Sequence, residues 1–383
     1  MGASASGAIA VYLVAALAVQ IRGSLDMQPG TYGLVVASYY AGAAAMSIPS
    51  GRLAEARGGT RVMRWSALLS TAVLVLIASF ARNWEALAAM LAIGGVGAAA
   101  MQNATNQVLA RRVPPGRQGA AFGLKQAAVP LSTVFAGLTV PALALTIGWR
   151  WAFVSAAAFT LAIAMLVPRA RTAAASRPRP KATRDALHPL TPLVVLGTGF
   201  ALGVFAASAM TAFLVTGAVH AGVSKGAAGV LFAVAGTTAG CSRVLAGILA
   251  DRRGRAHLHA VAVMLTVGTL GYVVLATASY THSAMLYAVG AIVAYAAGWG
   301  WNGLFNFAVV RTRPAAPGQA TSVTQTGGRM AGIAGPILFG MVVSSTSYTV
   351  AWSIAAGSSL AAAAVMLLGR HLHRRAVEAA RSS

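Results

Sequence analysis

Apolar runs long enough to cross a lipid bilayer recur from one end of this 383-residue chain to the other. They lie near 5–21, 31–51, 66–81, 86–109, 119–144, 151–167, 190–219, 226–249, 258–278, 283–309, 319–343 and 349–369, twelve in all. A membrane-crossing helix needs roughly 20 apolar residues for roughly 30 Å of hydrocarbon. Lipid offers backbone N–H and C=O groups no partner, so these runs are expected as helices. Strands of a membrane barrel would alternate apolar and polar residues, and 72–78 (AVLVLIA) does not. Only 9% of residues are charged against 57% hydrophobic, where a soluble domain carries about 25% charged. High hydrophobicity excludes disorder. Cys241 is the only cysteine, which excludes an internal disulfide framework and any metal or iron–sulfur centre built from thiolates. The expected fold class is therefore an all-α integral membrane protein of 12 transmembrane helices. A signal peptide would need a basic n-region. No basic residue precedes Arg22, so the first run is expected to be the first span.

Basic residues set the orientation. Loops after even-numbered spans, together with the end of the chain, hold 22 of the 29 Lys and Arg residues; the odd-numbered loops hold only Arg22, Arg82, Arg150 and Lys225. Both termini are thus expected in the cytoplasm, with the chain multi-pass in a plasma (inner) membrane. The same distribution accounts for the net charge of +23 without nucleic acid, because the charge is spread over many short loops.

The longest polar stretch, 168–189 (PRARTAAASRPRPKATRDALHP), fits a cytoplasmic linker. It divides the chain into a six-helix bundle over 1–167 and a second over 190–370, followed by a cytoplasmic tail, 371–383. A short motif repeats across the linker: 51–58 reads GRLAEARG and 247–254 reads GILADRRG, an offset of 196 residues. Each copy follows the second span of its half, as expected for a parallel internal repeat.

On these features the chain resembles the major facilitator superfamily. That family carries a glycine, an acid four residues on, and a basic run broken by glycine between spans 2 and 3 and again between 8 and 9. Gly247, Asp251, Arg252, Gly254 and Arg255 fit this pattern; Gly51, Glu55, Arg57 and Gly58 form the weaker copy, in which Ala56 replaces a usual arginine. The resemblance implies two six-helix bundles related by a pseudo-two-fold axis. It also implies that these residues gate the carrier, with Glu55 and Asp251 stabilising the outward-facing state. Glycine at a span end lets two helices approach closely, and an acid there can cap a helix or pair with a base.

Ionisable groups deep in a span cost about 2.5–3.5 kcal/mol on insertion scales and mark functional sites. Lys125, Arg243 and Arg329 qualify; none of the six acids lies deep in a span. Arg329 sits roughly 15 Å into the eleventh span, at 1.5 Å per residue. Lys125 lies in the fifth span, the counterpart of the eleventh, and the two are expected to point into one central cavity. Lys125 and Arg243 also have structural alternatives: snorkelling, or for Arg243 pairing with Asp251. Gln126 and Gln325 flank these cations. Asn103 and Asn106 in span 4, Asn302 and Trp299 in span 10, and Tyr40 in span 2 are candidate lining residues. Cations without carboxylates favour an anion, and arginine binds a carboxylate through two parallel hydrogen bonds. Basic residues in spans 8 and 11 also resemble the oxalate–formate and monocarboxylate branches of the family.

The expected function is secondary transport of a small organic solute, an anion such as a carboxylate, by alternating access. The expected partners are that solute and the lipid bilayer, with the chain acting as a monomer and with no cofactor or metal. A proton-driven drug or metabolite efflux pump is the alternative, and a receptor or structural protein without transport is the reading from another class. No G-x-x-x-x-G-K-[ST] loop is present, so ATP is not the expected drive, and no nucleophile–base pair or metal cluster stands out, so enzymatic chemistry is not expected.

Overall fold

The structure is a computed structural model that describes residues 2–114, 118–168, 191–253, 257–312 and 317–382. The first group of helices comprises α1 (Gly2–Ala16), α2 (Ala18–Ser24), α3 (Pro29–Arg57), α4 (Gly59–Phe80), α5 (Trp84–Arg112), α6 (Gln118–Thr139) and α7 (Trp149–Leu166). The second comprises α8 (Thr191–His220), α9 (Lys225–Arg253), α10 (His257–Thr281), α11 (Ala284–Ala296), α12 (Trp301–Thr312), α13 (Pro317–Ser345) and α14 (Tyr348–Ser382). Among the described residues, ten helical segments are long and apolar enough to span a membrane. The pair α1 and α2, bent by 66° at Leu17, makes an eleventh. The remaining span is α3, whose 29 residues are long enough but are diluted by Tyr39, Tyr40, Ser47, Ser50 and several glycines. Together these are consistent with the twelve expected spans. Large apolar side chains such as Phe80, Met165, Leu270 and Met285 point outward, the inverse of a water-soluble protein.

Two spans depart from simple helix. The tenth is broken over 297–300 between α11 and α12, where Gly298 and Gly300 flank Trp299. Irregular backbone at membrane depth persists where it is buried in protein or lines a cavity. Here Trp301 Nε1 donates to the Gly298 carbonyl at 2.7 Å. In the fifth span a π-helical turn, Val140–Ala144, follows α6 at Pro141. Pro130 and Pro336 are carried inside α6 and α13. The segment after 370 is helical, since α14 continues to Ser382.

The two groups meet along two glycine seams. In α3 against α13, Gly30 N donates to Ser344 Oγ at 2.9 Å. A Cβ on Gly33 would fall 2.2 Å from the Pro336 carbonyl, and Gly332 packs on the Tyr40 ring. In α6 against α9, Gly229 meets Gly137 and Val140, Gly236 meets Thr133, and Gly240 meets Pro130. Gly33 and Gly229 are 196 residues apart, the offset of the sequence motif, so one contact is built twice. Tyr32 adds a third tie: its hydroxyl donates to Val14 O and Ala212 O, at 3.3 and 3.0 Å.

All of these contacts lie in the part of the molecule away from the chain termini. Gly51 is five helical turns beyond Gly33, on the same face of α3. Gly247 continues the face of α9 that carries Gly236 and Gly240. A Cβ on Gly247 would meet nothing within 4 Å, and one on Gly51 would meet only Asn103 of its own group, at 4.0 Å. Among the described residues neither glycine makes a close approach to the other group. The exposure of Arg329 on the seam face of α13 marks an opening, a wedge, between the groups toward the terminal end.

Candidate functional site

The cations of the spans collect at the level where the seams end. Arg329 precedes Gly332, Pro336 and Gly340 by 3, 7 and 11 residues, so it shares their face of α13. Those three residues contact Tyr40, Gly33 and the Pro29 carbonyl of the first group. Arg329 is exposed. It therefore stands on the face toward α3, one turn beyond the last seam contact, where the wedge begins.

Arg243 occupies the matching place on α9, one turn past the contact of Gly240 with Pro130. Its guanidinium donates to the Gln126 carbonyl of α6 at 3.1 Å and to the Trp299 carbonyl at 3.3 Å. It also lies 4.4 Å over the Trp299 ring, in cation–π geometry. Tyr12 packs edge-on against the same indole at 6.0 Å. The break in the tenth span frees the Trp299 carbonyl for this bond. Arg243 thus crosses from the second group to the first, and its partners here are two carbonyls and an indole. Its Nε is buried without a hydrogen bond among the described residues.

Lys125 is buried in α6 and faces α5, where its Nζ donates to Asn106 Oδ1 at 2.5 Å. Lys125 and Arg329, expected to point into one central cavity, thus differ in this structure: Lys125 is buried against Asn106 and Arg329 is exposed. In the second half, Gln325 Nε2 donates to Asn306 Oδ1 at 2.6 Å. Asn306 in turn donates to Asn302 O and Oδ1 at 3.1 and 3.2 Å. Asn306 belongs with the candidate residues, and its 200-residue spacing from Asn106 is the sequence signal that marks it. Asn103 ties α5 to α3, donating to Ser47 O and Ser50 Oγ at 2.8 and 2.7 Å. Tyr40 packs between Tyr39, at 5.5 Å, and Gly332. Gln126 takes part through its backbone carbonyl.

The motif residues lie at the open end. Glu55 is exposed and has no partner among the described residues. Arg57 lies 5.9 Å over the Trp65 ring. Gly58 joins α3 to α4 at φ +84°, a conformation that requires glycine. The side chains of Asp251 and Arg252, and all of Gly254 and Arg255, lie outside the described residues.

The arrangement has one exposed arginine at the apex of a wedge, a second held across the groups, and a buried lysine behind them. Such a set gives the region between the groups a positive potential. Among the described residues, no group of three or more His, Cys, Asp or Glu side chains is placed to hold a metal ion.

A family model described as Major Facilitator Superfamily matches residues 1–328. No curated protein matches by sequence. Among solved structures, a bacterial homolog of the human lysosomal transporter Spinster, in an inward-facing and occupied conformation, is 17% identical with a TM-score of 0.68, covering 98% of this chain and 95% of its own. The same protein in its unoccupied inward-facing form gives 16% identity and a TM-score of 0.71, over 98% and 94% of the two chains. The nucleoside transporter NupG gives 14% identity and a TM-score of 0.75, over 96% of this chain and 98% of its own. At these identities the likeness is one of fold.

Proposed function

Because the chain belongs to the Major Facilitator Superfamily and is a multi-pass transporter, we propose that its cargo is a small organic anion, a carboxylate in the first instance, moved by alternating access. The observation that carries this reading is the exposed Arg329 at the apex of the wedge, on the face toward the other group, with no acid in the interior of any span. A carboxylate seated there gains two parallel hydrogen bonds from the guanidinium. Lys125 and Arg243 add positive potential from the two flanking helix pairs, and Asn302, Asn306 and Gln325 supply neutral hydrogen-bonding groups nearby.

The seams support alternating access. Each is a row of close glycine contacts that ends at the cations, so rocking one group against the other trades the outer contacts for inner ones around a fixed site. The basic loops put the open end of the wedge in the cytoplasm of a cell whose plasma (inner) membrane holds the protein, with both termini inside. In that orientation this state faces inward, and Glu55, without a partner among the described residues, fits a motif latch that closes only in the outward-facing state. One chain carries both groups, so a monomer suffices.

The test is uptake and counterflow by reconstituted protein for a panel of mono- and dicarboxylates, neutral solutes and cationic dyes. Carboxylate transport lost in Arg329→Gln supports the proposal. Transport of cationic dyes alone, indifferent to that substitution, favours an efflux pump instead.

A further inference from the structure

The closed end of the molecule carries a pocket that the central cavity does not use. Its volume is about 400 Å³, and it lies between the two groups, with Val19 and Arg22 on one side and Thr216, Val219, His220 and Tyr348 on the other. Ligand pockets of roughly 300–1,000 Å³ are the usual size for a small organic molecule.

Its polar wall is held in place by local hydrogen bonds. Met27 N donates to Arg22 O at 3.0 Å, while Arg22 Nε donates back to Met27 O at 3.1 Å. This reciprocal pair fixes the turn and aims the guanidinium. Opposite it, His220 ends α8. The His220 ring is 4.8 Å from Tyr348 and 5.1 Å from His282. His282 sits at φ 51°, a left-handed conformation rare for a side-chain-bearing residue, and its Nδ1 is 3.2 Å from the His220 carbonyl. No acid lines the pocket; Asp26, the nearest in sequence to Arg22, is exposed in the same turn.

We propose that this pocket is a second anion site, for a small carboxylate with a short apolar tail. The carboxylate is held between Arg22 and His220, with the Tyr348 hydroxyl as a further donor. The tail lies against Val19 and Val219. Both groups build the site, so it exists only while this end is closed, and its occupant favours that state by differential affinity. The proposal is independent of what the central cavity carries.

The test uses the full chain in nanodiscs with Val219→Cys and Cys241→Ser, so that the only thiol lines the pocket. The rate of modification by a cationic thiol reagent is followed against increasing propionate, with chloride balancing ionic strength. Propionate is expected to slow modification saturably, by fivefold or more. Arg22→Gln and His220→Gln should each remove most of the protection, Arg22→Lys should retain part of it, and Arg329→Gln should leave it intact. Absence of protection overturns the proposal. So does protection that disappears in Arg329→Gln but survives both Arg22→Gln and His220→Gln, because the effect would then come from the central cavity. The first result leaves the reading of the central cavity untouched, and the second would support it.

Discussion

Lys125 and Gln325 hold the same position in the two halves of the chain. Each donates to an asparagine 19 residues earlier, Lys125 to Asn106 at 2.5 Å and Gln325 to Asn306 at 2.6 Å. The repeat has kept the hydrogen bond and changed the charge on one side only. Lys125→Gln should therefore preserve the packing while deleting a positive charge. Thermal stability is expected to stay within about 1 kcal/mol of the parent, the net worth of one hydrogen bond, while anion uptake falls. Lys125→Met strands the Asn106 carbonyl and should cost about 1–3 kcal/mol as well. Thermal unfolding in detergent together with uptake in liposomes separates the two effects.

Gly33 lies against backbone, where a Cβ would come within 2.2 Å of the Pro336 carbonyl. No flexible side chain can yield there, so Gly33→Ala should pry α3 from α13. The expected result is a shift away from the state closed at this end and a loss of transport of tenfold or more. Cysteine crosslinking between Gly30 and Ser344, adjacent in the parent, reads the population directly and should weaken in this variant.

Arg243 makes two hydrogen bonds to carbonyls on different groups and stacks on Trp299. A lysine keeps the charge but lacks the planar fork needed for both contacts. Arg243→Lys should lose about 1–3 kcal/mol of charge-assisted bonding, reducing transport roughly ten- to hundredfold. Transport in this variant equal to the parent would show that the crossing between groups is idle.

Gly58 holds φ +84° between α3 and α4. Any side chain there should cost about 1–3 kcal/mol in backbone strain. Gly58→Ala is expected to lower the melting temperature and expression without changing substrate selectivity among the molecules that fold, a separation that thermal scans and competition assays measure.

Much of this was legible in the residues. The apolar runs, the repeat at 51–58 and 247–254, and three span-borne cations without acids all follow from composition and spacing. The break at 297–300 did not, because apolar content is continuous through 283–309 and only the glycines around Trp299 hint at unwinding. The burial of Lys125 was not legible either: spacing places it on the counterpart of the eleventh span, but only the structure shows its Nζ bonded to Asn106 of α5. Among the described residues Gly51 and Gly247 make no close approach to the other group; under the proposed alternating access their close contacts belong to the arrangement in which this end is shut.

The central claim, that Arg329 selects an anion at the apex of the wedge, is tested most directly by counterflow of a radiolabelled dicarboxylate in proteoliposomes. Parent protein, Arg329→Lys and Arg329→Gln are compared at matched reconstitution. Counterflow is predicted to be strong in the parent, reduced with a raised half-saturation concentration in the lysine variant, and abolished in the glutamine variant. Equal counterflow in all three would contradict the account.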